Sequence, residues 1–217
     1  MKILKSNLRL ILLYILILIT CDMKHVYSQS AYFNMYEPLM SARDASLASS
    51  GVADASNVNI MFSNPAGLTN LRKFFTVATH SQEKDINGRS EGVAVPFRLG
   101  KTDVMAVGLV VNHTGYAKQN TRPEFRIIQY GYNIAYAKEI IPTLSLGSEI
   151  GVRYARSKVS SVWALRSSIG LYYSPSEEIS YGIAYNGIGN GIGYSLDGSS
   201  TLLFSKSPPR SLQAGLA

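Results

Sequence analysis

Side chains able to do covalent or metal chemistry are few in this sequence, and they stand apart. His25, His80 and His113 are isolated, and no HExxH, CxxC or EF-hand spacing occurs, so no ligand set for a metal is legible. Cys21 is the single cysteine and no G-x-S-x-G elbow appears, which leaves no activated nucleophile. Glu177 and Glu178 are neighbours in a turn; adjacent side chains point apart, and a solvated loop suits them better than an acid/base pair. The run Gly187-Ile-Gly189-Asn-Gly191-Ile-Gly193 lacks the G-x-G-x-x-G spacing and precedes no helical pattern, so it reads as a glycine-rich strand end or loop. Asn112-His113-Thr114 is a chance match to a glycosylation sequon. Three charged groups remain, Glu149, Arg153 and Arg166, which share one face of an alternating pattern. What they do depends on what that face encloses. No catalytic activity and no cofactor are expected.

Composition and the N-terminus narrow the setting. At 217 residues, 46% hydrophobic and 16% charged, the chain is too apolar and too weakly charged to be disordered. One cysteine excludes a disulfide scaffold. Lys2, Lys5 and Arg9 precede an unbroken apolar stretch, Leu10 to Ile19. As a helix this stretch, with Thr20, spans about 16 Å, half of the hydrocarbon core. A basic start and a short apolar run form the secretory pattern. Val26 and Ser28 then suit a signal peptidase and place the mature N-terminus at Gln29. Two rival readings stand beside it: Leu18-Ile19-Thr20-Cys21 resembles a lipobox that would lipidate Cys21, and the apolar stretch could stay as an uncleaved anchor. The leader carries net +3, so the mature 189 residues keep +4 of the chain's +7. That is no clustered basic face of the kind nucleic acid requires, and nucleic acid is excluded as a partner.

The segment from Ser41 to Ser56, SARDASLASSGVADAS, is dense in Ala and Ser. Ser41 and Asp44 can cap a short helix, but no wide apolar face follows. Asn64-Pro65-Ala66-Gly67 reads as a turn, with Pro fixing φ and Gly ready for the left-handed region. Beyond Lys73 the period becomes two. Ile128–Tyr136, Leu144–Tyr154, Leu165–Tyr173 and Ile179–Tyr185 alternate strictly, with Val93–Phe97 and Met105–Val111 as weaker cases, which is the strand signal. The larger side of each segment is Ile, Leu, Val and Tyr, ending repeatedly in Tyr136, Tyr154, Tyr173 and Tyr185; the other is mostly Gly, Ala, Ser and Asn, and carries Glu149, Arg153 and Arg166. A transmembrane antiparallel β-barrel has this signature: apolar residues to lipid, small or polar ones to the lumen, aromatic girdles at the interfaces. On that reading Glu149, Arg153 and Arg166 are contacts to a plug or pore selectivity groups, or else ordinary hydrated lumen side chains. The tyrosines and Trp163 are girdle anchors before they are carbohydrate or lipid binders. The rival fold is a secreted soluble β-sandwich, or a lipoprotein carrying one, since half-buried strands also alternate.

Ser41-Ala42-Arg43, the small residues after it, Asp54-Ala55-Ser56, and then Phe62-Ser63-Asn64-Pro65-Ala66-Gly67-Leu68 together resemble the start of FadL-like outer-membrane proteins, particularly the PorV/PorQ family of Bacteroidetes-type bacteria. The resemblance implies a barrel of about fourteen strands whose N-terminal segment folds into the lumen as a hatch, with Asn64 to Gly67 where the hatch meets the first strand. It implies one of two roles, type IX protein secretion with surface attachment of cargo, or passage of hydrophobic small molecules. The partners would be outer-membrane lipids and either secretion-system proteins or a hydrophobic ligand. No ligand-binding residue carries over.

The expected organisation is a signal peptide over 1–28, a hatch over 29–73 and strands over 74–217, located in the outer membrane of a Gram-negative cell. At roughly 18 residues per strand and connection, the last segment holds about eight strands, and a closed barrel of that size has room only for side chains. A hatch would not fit inside it. Since Ser211–Ala217 also stops in mid-strand, a truncated chain forming an incomplete barrel with open edges is expected.

Overall fold

The computed structural model describes residues 51–83, 88–114, 127–156, 160–189, 192–196, 202–206 and 210–217. The leader, Ser41-Ala42-Arg43 and the turn signals at Asn87, Arg122-Pro123 and Ser207–Pro209 lie outside the described residues.

Alternation becomes strand throughout. Ten strands form one antiparallel sheet: β1 (Val77–Glu83), β2 (Gly88–Arg98), β3 (Asp103–Thr114), β4 (Ile127–Ile141), β5 (Leu144–Arg156), β6 (Ser160–Tyr173), β7 (Tyr181–Ile188), β8 (Ile192–Leu196), β9 (Leu202–Lys206) and β10 (Ser211–Leu216). Eight of them run in the order β1-β2-β3-β4-β5-β6-β7-β10, while β8 branches from β6 and carries β9. The sheet is open, with β1 and β10 as the ends of its path. The segment expected to begin at 74 enters its first strand at Val77.

Local chemistry fixes the register. Pro142 and Thr143 form a two-residue loop between paired Ile141 and Leu144. Pro sets φ at the first position, and Thr143 takes the left-handed φ of 80° at the second. Leu99–Thr102 turns β2 into β3, with Leu99 N donating to Asp103 O at 3.0 Å. Gly187, at φ 85°, is the extra residue where β7 slips against Ser167 and Ser168 of β6. Glycine in that conformation is what such a bulge calls for. The glycine-rich run thus begins as a strand end with a bulge.

The two sides of this sheet invert the usual order of a protein. On β4 through β7 the small and polar residues are buried, from Gln129, Gly131, Asn133 and Ala135 to Gly182, Ala184 and Asn186. The large apolar residues stand in the open, with Ile150 at 58% exposure, Tyr132 at 54% and Trp163 at 61%. No second sheet covers them among the described residues. Burial of the small-residue face comes from the chain ahead of β1: a 3-10 turn (Gly51–Ala53), a single α-helical turn α1 (Ile60–Ser63) and a 3-10 helix (Pro65–Asn70). Met61, Phe62, Ala66, Leu68 and Leu71 pack against Ala94, Val104, Ala106, Ala135, Ala137 and Tyr172. The core is therefore made by a small helical segment laid on a sheet face that is itself nearly bare of large side chains.

Among the described residues, no helix is long and apolar enough to cross a membrane.

Candidate functional site

The covered face is organised in cross-strand rows, and the second from the Pro142–Thr143 end is the smallest. Val104, Ala137, Gly147, Gly170 and Ala184 stand side by side on β3 to β7. Onto this row settles the Asn-Pro-Ala-Gly motif. A Cβ at Gly147 would meet the backbone of Ala66 at 2.3 Å and of Pro65 at 2.5 Å, and one at Gly170 would meet Asn64 Oδ1 at 1.9 Å. On β7, a Cβ at Gly182 would reach Val52 O at 2.1 Å. These glycines let backbone approach backbone.

Asn64 holds the contact. Its side chain is wholly buried; Nδ2 donates to Val52 O at 2.9 Å and to Leu171 O of β6 at 3.0 Å, while Oδ1 accepts from Ala66 N at 3.2 Å. One amide thus caps the 3-10 helix, closes the segment on itself and ties it to a strand. Tyr172 Oη and Ser180 Oγ both donate to Ala53 O, at 3.1 and 2.9 Å. Thr69 Oγ1 donates to Ser145 Oγ at 2.6 Å.

One expectation about the motif changes. Gly67 sits inside the 3-10 helix without the positive φ expected of a turn glycine; its missing side chain instead leaves room for Ile60 and Tyr172. The motif precedes β1 in the chain and rests on β5 and β6.

Glu149, Arg153 and Arg166 all lie on the covered face, and all are buried. Ser168 Oγ donates to Glu149 Oε2 at 3.0 Å, and Arg153 Nη1 donates to Asn133 Oδ1 at 2.9 Å. Both guanidinium groups act electrostatically on the Glu149 carboxylate. The strands bring this group together because Ala135, Glu149, Ser168 and Asn186 share one row, and Asn133, Gly151 and Arg166 the next. The group also reaches the helical segment. Arg166 Nη2 donates to Phe62 O at 3.3 Å, and Asn186 Nδ2 donates to Ser63 O at 3.2 Å. Two strand side chains thereby receive the carbonyls left open at the end of α1. Glu149 Oε1, Arg153 Nη2 and Gln129 Nε2 make no hydrogen bond among the described residues.

Ser168, Asn133 and Asn186 were not singled out from sequence, although their place on the small-residue face is a signal that could have found them. The arrangement positions a covering segment and balances charge beneath it; it contains no nucleophile set against a base. Among the described residues no three His, Cys, Asp or Glu side chains gather to hold a metal. Glu177 and Glu178 lie in the exposed Ser174–Ser180 loop, where the Glu177 carbonyl accepts from Arg72 Nη2 at 2.8 Å.

The open face has aromatic rows toward its two ends. Tyr130, Tyr154 and Trp163 pair directly across β4, β5 and β6, with ring centroids 6.4 and 4.5 Å apart. At the other end Tyr173 and Tyr181 stack at 6.1 Å. Tyr136 and Tyr185, expected at the ends, fall inside the band instead, in a row with Met105, Ser148 and Ile169. Between the aromatic rows β5 to β7 present Ile, Leu, Val, Tyr and Ser; on β4 Lys138, 3.5 Å from Asp103, falls in the last row before Tyr173 and Tyr181, and Arg156 lies one row beyond Tyr154 at the other end.

No protein-family model and no curated protein sequence matches this chain.

Proposed function

We propose that this chain is an integral outer-membrane β-barrel protein of the PorV/PorQ type, serving type IX protein secretion or the attachment of cargo at the cell surface. The observation that carries the proposal is the exposed band between the two aromatic rows, free of charge on β5 to β7 and carrying on β3 and β4 only the Asp103–Lys138 pair in its last row. Ten residues separate Trp163 from Tyr173 on β6, about 33 Å of strand. At a tilt of about 40° this projects to about 25 Å, the height of the lipid-facing band of an outer-membrane barrel. A soluble sandwich would bury Ile134, Ile150 and Leu171 against a second sheet; here they are open. In a bilayer the edges of β1 and β10 need strand partners, so the proposal includes further strands paired to both edges, because the eight on this path would close too tightly to hold the covering segment. Residues 51–71 then form part of a hatch, latched by Asn64, Arg166 and Asn186.

The filling of that face favours assembly over conduction. A conduit for lipophilic molecules needs an apolar path, whereas the inward rows are small or polar and lie beneath residues 51–71.

Envelope fractionation tests the location. The protein should enter the outer-membrane fraction and resist carbonate extraction; release into the soluble fraction would sink the proposal. A deletion strain tests the role: secreted cargo should be lost from the surface, and a strain that secretes normally but fails to take up hydrophobic substrates would overturn the secretion reading.

A further inference from the structure

One row beyond Tyr130, Tyr154 and Trp163 the open face changes character. Arg89, His113, Ile128 and Arg156 stand side by side across β2, β3, β4 and β5. Arg89 and Arg156 are exposed, and neither makes an ion pair among the described residues. Three strand spacings, about 14 Å, separate their backbones. Gln82 extends the row on β1. Among the described residues the acid facing it is Glu91, one row back toward the band, and it lies 3.6 Å from His80 on β1. Apolar band, aromatic row and basic row follow one another in the order of acyl chain, interface and headgroup.

We infer that the Arg89–His113–Arg156 row is a docking surface for the phosphate of a net-anionic membrane lipid whose acyl chains lie along Ile150, Leu165 and their neighbours. Guanidinium groups match phosphate oxygens through paired N–H donors. The flanking rings hold the lipid's glycerol region at the interface. At the opposite end Lys138 is already engaged by Asp103. This inference rests on the membrane reading above.

Trp163 is the chain's single tryptophan, and it stands next to Tyr154 in the row beside the arginines. Its fluorescence in the full chain, reconstituted into vesicles, reports the lipid at this spot. Vesicles of phosphatidylcholine are mixed with acyl-brominated phosphatidylcholine or acyl-brominated phosphatidylglycerol, and the quenching gives the relative affinity of each lipid for the site. Phosphatidylglycerol should be favoured about fivefold per arginine. R89Q and R156Q should each remove a comparable share and high salt should weaken the preference, while K138Q, at the far end, should leave it unchanged. Equal quenching by both lipids, or a preference untouched by R89Q and R156Q, overturns the anionic docking surface and leaves the membrane reading standing. A Trp163 that brominated phosphatidylcholine fails to quench overturns the membrane reading itself, and this inference with it.

Discussion

The two faces of this sheet are built from the same strands by opposite rules. On β5, Ser145, Gly147, Glu149 and Gly151 are buried, while Leu146, Ser148 and Ile150 are exposed. Neither polarity nor size alone decides which side is covered, since Ser148 is open while Glu149 and Arg153 are buried; fit beneath the covering segment does. A glycine row admits the backbone of Asn64-Pro65-Ala66, which no row of Leu or Ile could accept. The covering segment then supplies hydrogen-bond partners for the polar groups beside it. The outward side chains have no such partner and are left for the surroundings to satisfy. Burial in this molecule thus measures fit to a covering backbone, and Ile150 and Trp163 are exposed because no second sheet covers them among the described residues, a state that water penalises and acyl chains do not.

The sharpest way to break this contrast is to give the glycine row a side chain. Gly147→Val would drive a Cβ into the backbone of Pro65 and Ala66, atoms that cannot rotate away. The expected loss exceeds about 4 kcal/mol, or assembly fails altogether. Ser148→Val, the next residue on the outward side, should change stability by less than about 0.5 kcal/mol. Urea unfolding in bilayers compares the two, and equal effects would remove the distinction between the faces.

A charge placed on the outward face asks what surrounds it. Ile150→Arg should cost about 2–4 kcal/mol of stability in bilayers. In a water-exposed sheet the same change at a residue this open would be close to neutral, so a neutral result contradicts the membrane reading directly.

Asn64→Ala removes the amide that ties the covering segment to the covered face. Three hydrogen bonds are lost at about 1 kcal/mol each, and the carbonyls of Val52 and Leu171 lose this donor. Limited proteolysis should cut within residues 51–71 faster than in the unaltered chain, with the strands left intact. Unchanged cleavage would show that the glycine fit alone holds the segment.

How far the sequence exposes this contrast depends on the range of each interaction. Alternation is local, so β4 to β7 and the facing of Glu149, Arg153 and Arg166 follow from it directly. The polar, irregular run Val-Ala-Thr-His-Ser-Gln-Glu of β1 carries no such period, because an edge strand has less apolar surface to declare. The α1 turn, Ile-Met-Phe-Ser, is four residues held by tertiary packing rather than by propensity or a capping side chain. Asn64 is recognisable as a turn residue, but its bond to Leu171 O crosses 107 positions, and only the folded rows bring Gly170 beneath it. The reversal at Pro142–Thr143 escaped notice because threonine does not advertise a positive φ.

The second residue of that reversal gives a small predicted effect, and the one stabilising change among these. Thr143 belongs to neither face, yet its two-residue loop sets the parity that sends Ser145 inward and Leu146 outward. A side chain at φ 80° bears a left-handed penalty of about 1–2 kcal/mol. Glycine removes that penalty while adding about 0.5–1 kcal/mol of unfolded-chain entropy. Thr143→Gly should therefore gain about 0.5–1 kcal/mol in urea unfolding, with both faces unchanged by proteolysis and tryptophan emission. Thr143→Ala keeps the Cβ and should gain little. If alanine stabilises as much as glycine, the loop is not held in the left-handed conformation, and the register of the β4–β5 hairpin must be set by the packing of the faces themselves.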